Sequence, residues 1–209
     1  MGRYLGPKCK LCRRERTKLF LKGSKCNTEK CPFSRRTYPP GVHGKRQTKQ
    51  SYYGLQLREK QKVKRMYGML EKQFKRFFRL AVKSKEVTGR KLIQLLERRL
   101  DNVIYRALFA LSRNEARQIV RHGFVFIGER RVNIPSYITR EGEEIKIKAK
   151  ESVIKRIKEN IEINSKERSV PTWIEVDNEN LKLKIKRLPE KEDLTIPISE
   201  QLIVELYSK

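Results

Sequence analysis

All four cysteines of this 209-residue chain fall within its first 31 residues, as Cys9, Cys12, Cys26 and Cys31. Their spacing, C-x2-C-x13-C-x4-C, limits what the N-terminus can become. The first pair can be presented from a single turn, and the thirteen-residue spacer forms a loop that returns the second pair. Four thiolates in that arrangement make a closed tetrahedral site for a structural zinc ion and leave no open position for a catalytic water. Lys8, Lys10, Arg13, Arg14 and Lys30 crowd the ligands and are expected to favour thiolate over thiol. The spacing alone also admits an iron–sulfur cluster. Structural disulfides need an oxidising compartment that nothing at the N-terminus suggests, and a redox CxxC needs a βαβ context that residues 1–31 do not offer. A metal would stand in for a core that so short and charged a segment cannot build.

Charge is the second constraint. Residues 1–97 hold 28 Lys and Arg against 6 Asp and Glu, which is +22 of the chain's formal +27. Residues 151–209 sum to −1 and read as scaffold. So uneven a distribution implies a polyanionic partner held by the N-terminal half, through release of the counterions condensed on it. Membrane insertion is excluded, because the longest purely apolar run is Ala107–Leu111. No apolar signal segment opens the chain, and Gly6 stands where a myristoylation motif needs Ser or Thr, so a cytoplasmic location is expected.

Between Thr37 and Gly54, Pro39, Pro40, Gly41 and Gly44 block regular structure while Lys45, Arg46 and Lys49 supply charge, which predicts an extended basic linker. Gly41-Val42-His43-Gly44 matches the GXXG loop of KH domains by letter only and reads as turn punctuation. Leu57, Met66, Leu70, Phe74, Phe77, Phe78 and Ala81 then recur at helical spacing, with Gly68 as a break between two helices. The three phenylalanines read as core. A further helix begins near Thr88, with Leu92, Leu95, Leu96 and Leu100 as its stripe. Strands are expected at 124–127, 132–134, 144–148, 173–176 and 181–186, a helix over 152–163, and a last helix capped by Ser199. The class is α+β. Residues 1–50 form the zinc knuckle and basic linker, 51–97 a helical domain completed by 187–209, and 98–186 a domain of two short helices and a small antiparallel sheet with additional strands.

Ser112 is placed as a helix cap, and Arg113, Arg117 and Arg121 follow four residues apart, with Asn114 and Gln118 beside them. No acidic residue lies four positions away from any of the three, so the stripe is expected to stay unneutralised and to fork onto phosphates. Arg117→Ala should then weaken binding with little loss of fold. Gly123 ends the helix.

Leu100-Asp101, Ser112-Arg113-x-x-Ala116-Arg117-Gln118, His122-Gly123 and Val132-Asn133-Ile134-Pro135 together resemble the RNA-binding αL module named after the small-subunit ribosomal protein four family. The likeness runs along nearly the whole chain. It includes Arg3-Tyr4, the cysteine knuckle, Tyr38-Pro39-Pro40-Gly41, the stretch from Tyr53 to Gln61, Leu188-Pro189 and the stretch from Glu200 to Glu205. The chain is similar to the bacterial, zinc-containing form of that family. The resemblance implies a structural constituent of the small ribosomal subunit that binds the 5′ domain of the small-subunit RNA early and nucleates its assembly. It further implies a position near the channel through which messenger RNA enters, beside ribosomal proteins three and five, and an influence on decoding accuracy.

Arg113, Asn114, Arg117, Gln118 and Arg121 are the first candidates for RNA contact, followed by Arg35, Arg36, Lys45, Arg46 and Lys49 of the linker. Arg3, Lys8, Arg13, Arg14, Tyr52, Tyr53, Arg58, Lys62 and Arg65 complete the set. His122 reads as a helix terminus, and His43 is undecided. The same module occurs attached to RNA-modifying enzymes and tyrosyl-tRNA synthetases, whose catalysis resides in a separate domain. Here no Walker loop, GxGxxG turn or HExxH helix is present, so no enzyme and no small-molecule substrate are expected. A zinc-containing DNA regulator would place its recognition helix at the cysteines, not roughly eighty residues later.

Overall fold

Apolar side chains three and four positions apart need a partner surface, which the helices Leu100–Arg106 and Arg113–Arg121 find in each other and the helix Tyr52–Met66 finds in the C-terminal helix. The structure is a computed structural model that describes residues 2–46, 49–194 and 197–208. It divides into two compact units, Met1–Leu92 with Ile196–Lys209, and Ile93–Thr195.

The first unit opens with α1 (Lys8–Glu15), a 3-10 turn at Gly23–Cys26 and the single-turn α2 (Pro32–Arg35). Leu19 and Leu21 pack with Cys12 in a small apolar cluster of their own. Ser51 caps α3 (Tyr52–Met66), its hydroxyl accepting from the Gly54 N–H at 3.1 Å. Gly68 ends that helix at φ +63, a conformation cheap only for glycine, and the chain re-enters α4 (Glu71–Val82). Phe74, Phe77 and Phe78 are buried as the pattern requires. The C-terminal α9 (Glu200–Tyr207) lies along α3, where Gln56 donates to Glu205 at 2.9 Å and Glu59 accepts from the Ser199 N–H at 2.9 Å. Tyr207 stacks on Phe78 with ring centroids 4.5 Å apart and donates to Glu71, which also accepts from Lys60 and Lys64.

Helix α5 (Thr88–Glu97) crosses from the first unit's segment into the second's, and Leu100 opens α6 (Leu100–Arg106) instead of extending α5. In the second unit α7 (Arg113–Arg121) pairs with α6, and the described residues then form five antiparallel strands in the order β2-β1-β3-β5-β4. They are β1 (Val125–Ile127), β2 (Arg130–Arg131), β3 (Glu144–Ile147), β4 (Ile174–Asp177) and β5 (Lys182–Ile185). Ile145, Ile147, Leu183 and Ile185 turn to one face and bury with Trp173, Ile104, Phe109 and Val120. Helix α8 (Glu151–Ser165) closes this core. Its Asn164 donates to the Leu108 and Ala110 carbonyls at 2.7 and 3.2 Å, satisfying the turn where Leu108 takes φ +67.

One strand sits elsewhere than the pattern predicts. Gly128 and Glu129 make a tight turn that pairs Ile127 with Arg130, so the strand is Arg130–Arg131. Beyond Val132 the chain runs past the start of α6, where the Pro135 and Tyr137 carbonyls accept from the Asp101 and Leu100 amides at 3.2 and 2.9 Å.

Candidate nucleic-acid interface

In the first unit residues 37–46 of the predicted linker fold back onto α1 instead of extending, Tyr52 to Gly54 belong to α3, and Gln47 and Thr48 lie outside the described residues. Arg13, from α1, donates through Nε to the Tyr38 carbonyl at 3.0 Å and through Nη2 to the Pro39 carbonyl at 3.3 Å, and its guanidinium lies 5.0 Å from the Tyr38 ring centre. Pro39 and Pro40 then lead into a turn. A Cβ on Gly44 would stand 2.0 Å from the Pro39 carbonyl oxygen, so this close approach requires glycine. The α1 cap, Arg16, adopts φ 52 and redirects the chain after the helix.

The result is a cleft of 810 Å³. Arg14, Arg16, Arg46, Lys49 and Arg58 line it, no carboxylate among the described residues does, and Ser51 and Gly54 bring the first turn of α3 to its wall. Glu15 pairs with Arg58 at 3.2 Å, so Arg14, Arg16, Arg46 and Lys49 with the amide end of a fifteen-residue helix create a positive concavity suited to phosphate. Arg16 was not among the sequence candidates. Its only sequence signal is its place just after the CxxC helix.

Several other candidates are occupied by the fold. Glu15 is 1% exposed and accepts from Arg58 at 3.2 Å and from Arg65, which ties α1 to α3. Burial pushes the Glu15 carboxyl up, against the pull of Arg65 and Arg58. Lys62 reaches Glu59 at 2.8 Å and the Pro197 carbonyl at 3.2 Å. Lys8 donates to the Tyr4 carbonyl at 2.7 Å, and its pKa is lowered by burial and by Arg3. Tyr52 donates to Glu205. Arg3, Arg14, Arg35, Arg36, Lys45, Arg46, Lys49 and Tyr53 are exposed.

In the second unit the arginine helix is real, and Ser112 accepts from the Glu115 N–H at 3.3 Å as its cap. The expectation of an unneutralised stripe is corrected. Arg117 is 8% exposed and lies 3.6 Å from Asp101, a carboxylate supplied by α6, which four-residue spacing along α7 does not reach. Asp101 also takes both prongs of Arg99, at 3.0 and 2.6 Å. Arg113 donates to Asn102 at 2.8 Å and stacks 4.5 Å from the Tyr105 centroid, while Glu97 grips Arg106 at 2.9 and 2.8 Å. Buried arginines thus build the α5–α6–α7 corner. Arg121 and Gln118 are the exposed members of the set, and Asn114 is half-buried.

The cysteines sit on α1 (Cys9 and Cys12), at the end of the 3-10 turn (Cys26) and at the start of α2 (Cys31). All four are free thiols, three of them buried. Burial pushes the Cys12 and Cys26 thiols up, and the other thiols add to the rise, so burial outweighs the basic residues expected to favour thiolate. In kind and number the donors suit a soft dication, and Cys9, Cys26 and Cys31 lie near enough to Cys12 to act on its thiol, although no group of three or more His, Cys, Asp or Glu is arranged to hold a metal ion among the described residues.

Residues 3–97 match the family described as Ribosomal protein S4/S9 N-terminal domain, and residues 98–145 match the S4 domain. The chain is 55% identical to small ribosomal subunit protein uS4 of Thermodesulfovibrio yellowstonii and 54% identical to that of Dictyoglomus turgidum, in each case over all 209 residues and the full length of both proteins. The chain belongs to the uS4 family. Within this uS4 chain the first match ends with α5 and holds the cysteines and the basic cleft. The S4-domain match holds the buried arginine corner and ends inside β3, so α8, β4 and β5 extend the uS4 sheet beyond it.

Proposed function

We propose that the chain is a structural constituent of the small ribosomal subunit that binds small-subunit ribosomal RNA directly. The cleft of the first unit carries this reading, because Arg14, Arg16, Arg46 and Lys49 converge there beside the Glu15-paired Arg58, with no carboxylate among the described residues that line it. Counterion release supplies the affinity, and a fixed concave wall selects the backbone shape that fits it. The second unit adds the exposed Arg121 cation and Gln118 amide of α7. No catalytic step is involved.

Family membership supports the finer parts of the proposal. These are early binding to the 5′ domain, nucleation of its assembly, a place near the messenger RNA channel beside ribosomal proteins three and five, and an effect on decoding accuracy, all in the cytoplasm. A structural zinc ion held by Cys9, Cys12, Cys26 and Cys31 is also proposed, on the strength of the donor set, and would cross-link the N-terminal segment when bound.

Alanine at Arg14, Arg46 and Lys49 together tests the cleft. The triple variant should bind a 5′-domain RNA fragment at least tenfold more weakly, and the slope of log affinity on log salt should shrink by about 2 to 3. An unchanged slope would remove the cleft from the interface.

A further inference from the structure

The turn that walls the cleft carries two exposed side chains that phosphate binding does not need. Val42 is 96% exposed, and His43 beside it is exposed too, its ring without a hydrogen-bond partner among the described residues. Both line the cleft. The backbone beneath them is fixed from three sides, by the Arg13 hydrogen bonds to Tyr38 and Pro39, by two consecutive prolines, and by the close approach of Gly44 to Pro39. Gly41 takes φ +115, and the Gly44 and Arg46 amides close the turn onto the Gly41 and His43 carbonyls at 3.2 and 3.0 Å. An aliphatic and an imidazole side chain are therefore carried on a restrained backbone at the rim of a cation-lined pocket.

We propose that this pocket takes one unpaired nucleotide of the bound RNA, with Val42 and His43 as the residues that select it. The inference rests on the RNA-binding reading above and adds what the cleft recognises. Its 810 Å³ lies within the roughly 300–1,000 Å³ typical of small-ligand sites. The labour divides by chemistry. Arg14, Arg46 and Lys49 neutralise the flanking phosphates, Val42 and the proline rings pack on one face of the base, and the His43 ring stacks on it or bonds to its edge. An A-form duplex hides its base faces and presents a ridge of phosphates, for which an exposed valine offers nothing. A splayed base has both a face and an edge to give, and it matches the mixed apolar and cationic lining.

Modification interference on the full-length chain tests this. The 5′-domain fragment of small-subunit ribosomal RNA is lightly treated with dimethyl sulfate or a carbodiimide, which mark unpaired bases, and bound and free molecules are separated. With the unaltered protein, modification at one or two unpaired positions should deplete those molecules from the bound fraction at least threefold. His43→Ala and Val42→Ala should abolish that depletion, whereas Lys49→Ala should weaken binding overall and leave it in place. The same depletion pattern with and without the His43 and Val42 substitutions would overturn the pocket while leaving the RNA-binding reading intact. Failure of the unaltered protein to retain the fragment would overturn that reading, and the pocket with it.

Discussion

Replacing Asp101 by alanine should unfold the second unit far more readily than any surface substitution. The Asp101 side chain is 6% exposed and holds Arg99, which is fully buried, through contacts of 3.0 and 2.6 Å, with Arg117 at 3.6 Å. A guanidinium cannot shed its charge, so Asp101→Ala leaves two buried cations without their carboxylate. Breaking a buried pair in this way costs about 3–5 kcal/mol. The chain has one tryptophan, Trp173, which is fully buried in the second unit's core, so its fluorescence in urea reports on that unit. With a denaturant slope of about 2 kcal/mol/M, the midpoint should fall by about 1.5–2.5 M. Glu175→Ala is the control. It removes an exposed pair with Lys186 at 3.5 Å and should cost under about 1 kcal/mol. Equal midpoint shifts for the two variants would refute the claim that a buried ionic corner holds α6 and α7. Arg117→Ala draws on the same corner and should also lose stability, so Arg121→Ala is the better probe of RNA contact on α7.

Three further outcomes are expected. Gly123 has φ +75, and a Cβ there would meet the Arg131 guanidinium at 2.2 Å, so Gly123→Ala should cost about 1–3 kcal/mol by the Trp173 assay; no change would mean that this turn relaxes freely. Burial pushes Glu71 up, but hydrogen bonds from Lys60, Lys64 and Tyr207 outweigh it and hold the carboxyl at about 2. Because that value is depressed, its stabilisation is present above the ordinary value near 4.5 and is lost as pH falls toward 2, by under about 1 kcal/mol given the side chain's exposure. Hydrogen-exchange protection factors in α4 and α9, corrected for intrinsic rates, should fall over that window, and Glu71→Gln should flatten the response. Cys12→Ser should lower the zinc content of the purified protein, measured by mass spectrometry, and equal zinc in both proteins would remove Cys12 from the proposed site.

Local patterns were legible wherever sequence neighbours decide the structure. Gly68 and Gly123 mark helix ends because left-handed backbone is cheap only there, Ser112 caps α7, and the phenylalanines of α4 fall on its buried face, whereas Ser199 starts α9 without a side-chain cap bond. Features set by distant residues were not legible. Asp101 neutralises Arg117 from another helix, and Arg13 folds a predicted linker back across 25 residues by binding the Tyr38 carbonyl. Val132-Asn133-Ile134 alternates well enough to read as a strand, yet only the Val132 amide joins the ladder, at 2.9 Å from the Val125 carbonyl, and the Ile134 carbonyl closes a turn by accepting from the Tyr137 amide. The candidate RNA contacts divide the same way. A charged residue in sequence is a candidate, but only the packing shows that Arg58, Arg65 and Lys62 hold carboxylates while Arg14, Arg46 and Lys49 face a cleft.

The central claim is specific RNA binding through the basic surfaces, and a binding isotherm for the 5′-domain fragment of small-subunit ribosomal RNA, run across salt with excess transfer RNA as competitor, tests it most directly. The four cleft cations Arg14, Arg16, Arg46 and Lys49 predict a slope of log affinity on log salt of about −3.5 or steeper, with binding that survives the competitor. Loss of binding to the competitor at every salt would contradict the account and reduce the charge to nonspecific attraction.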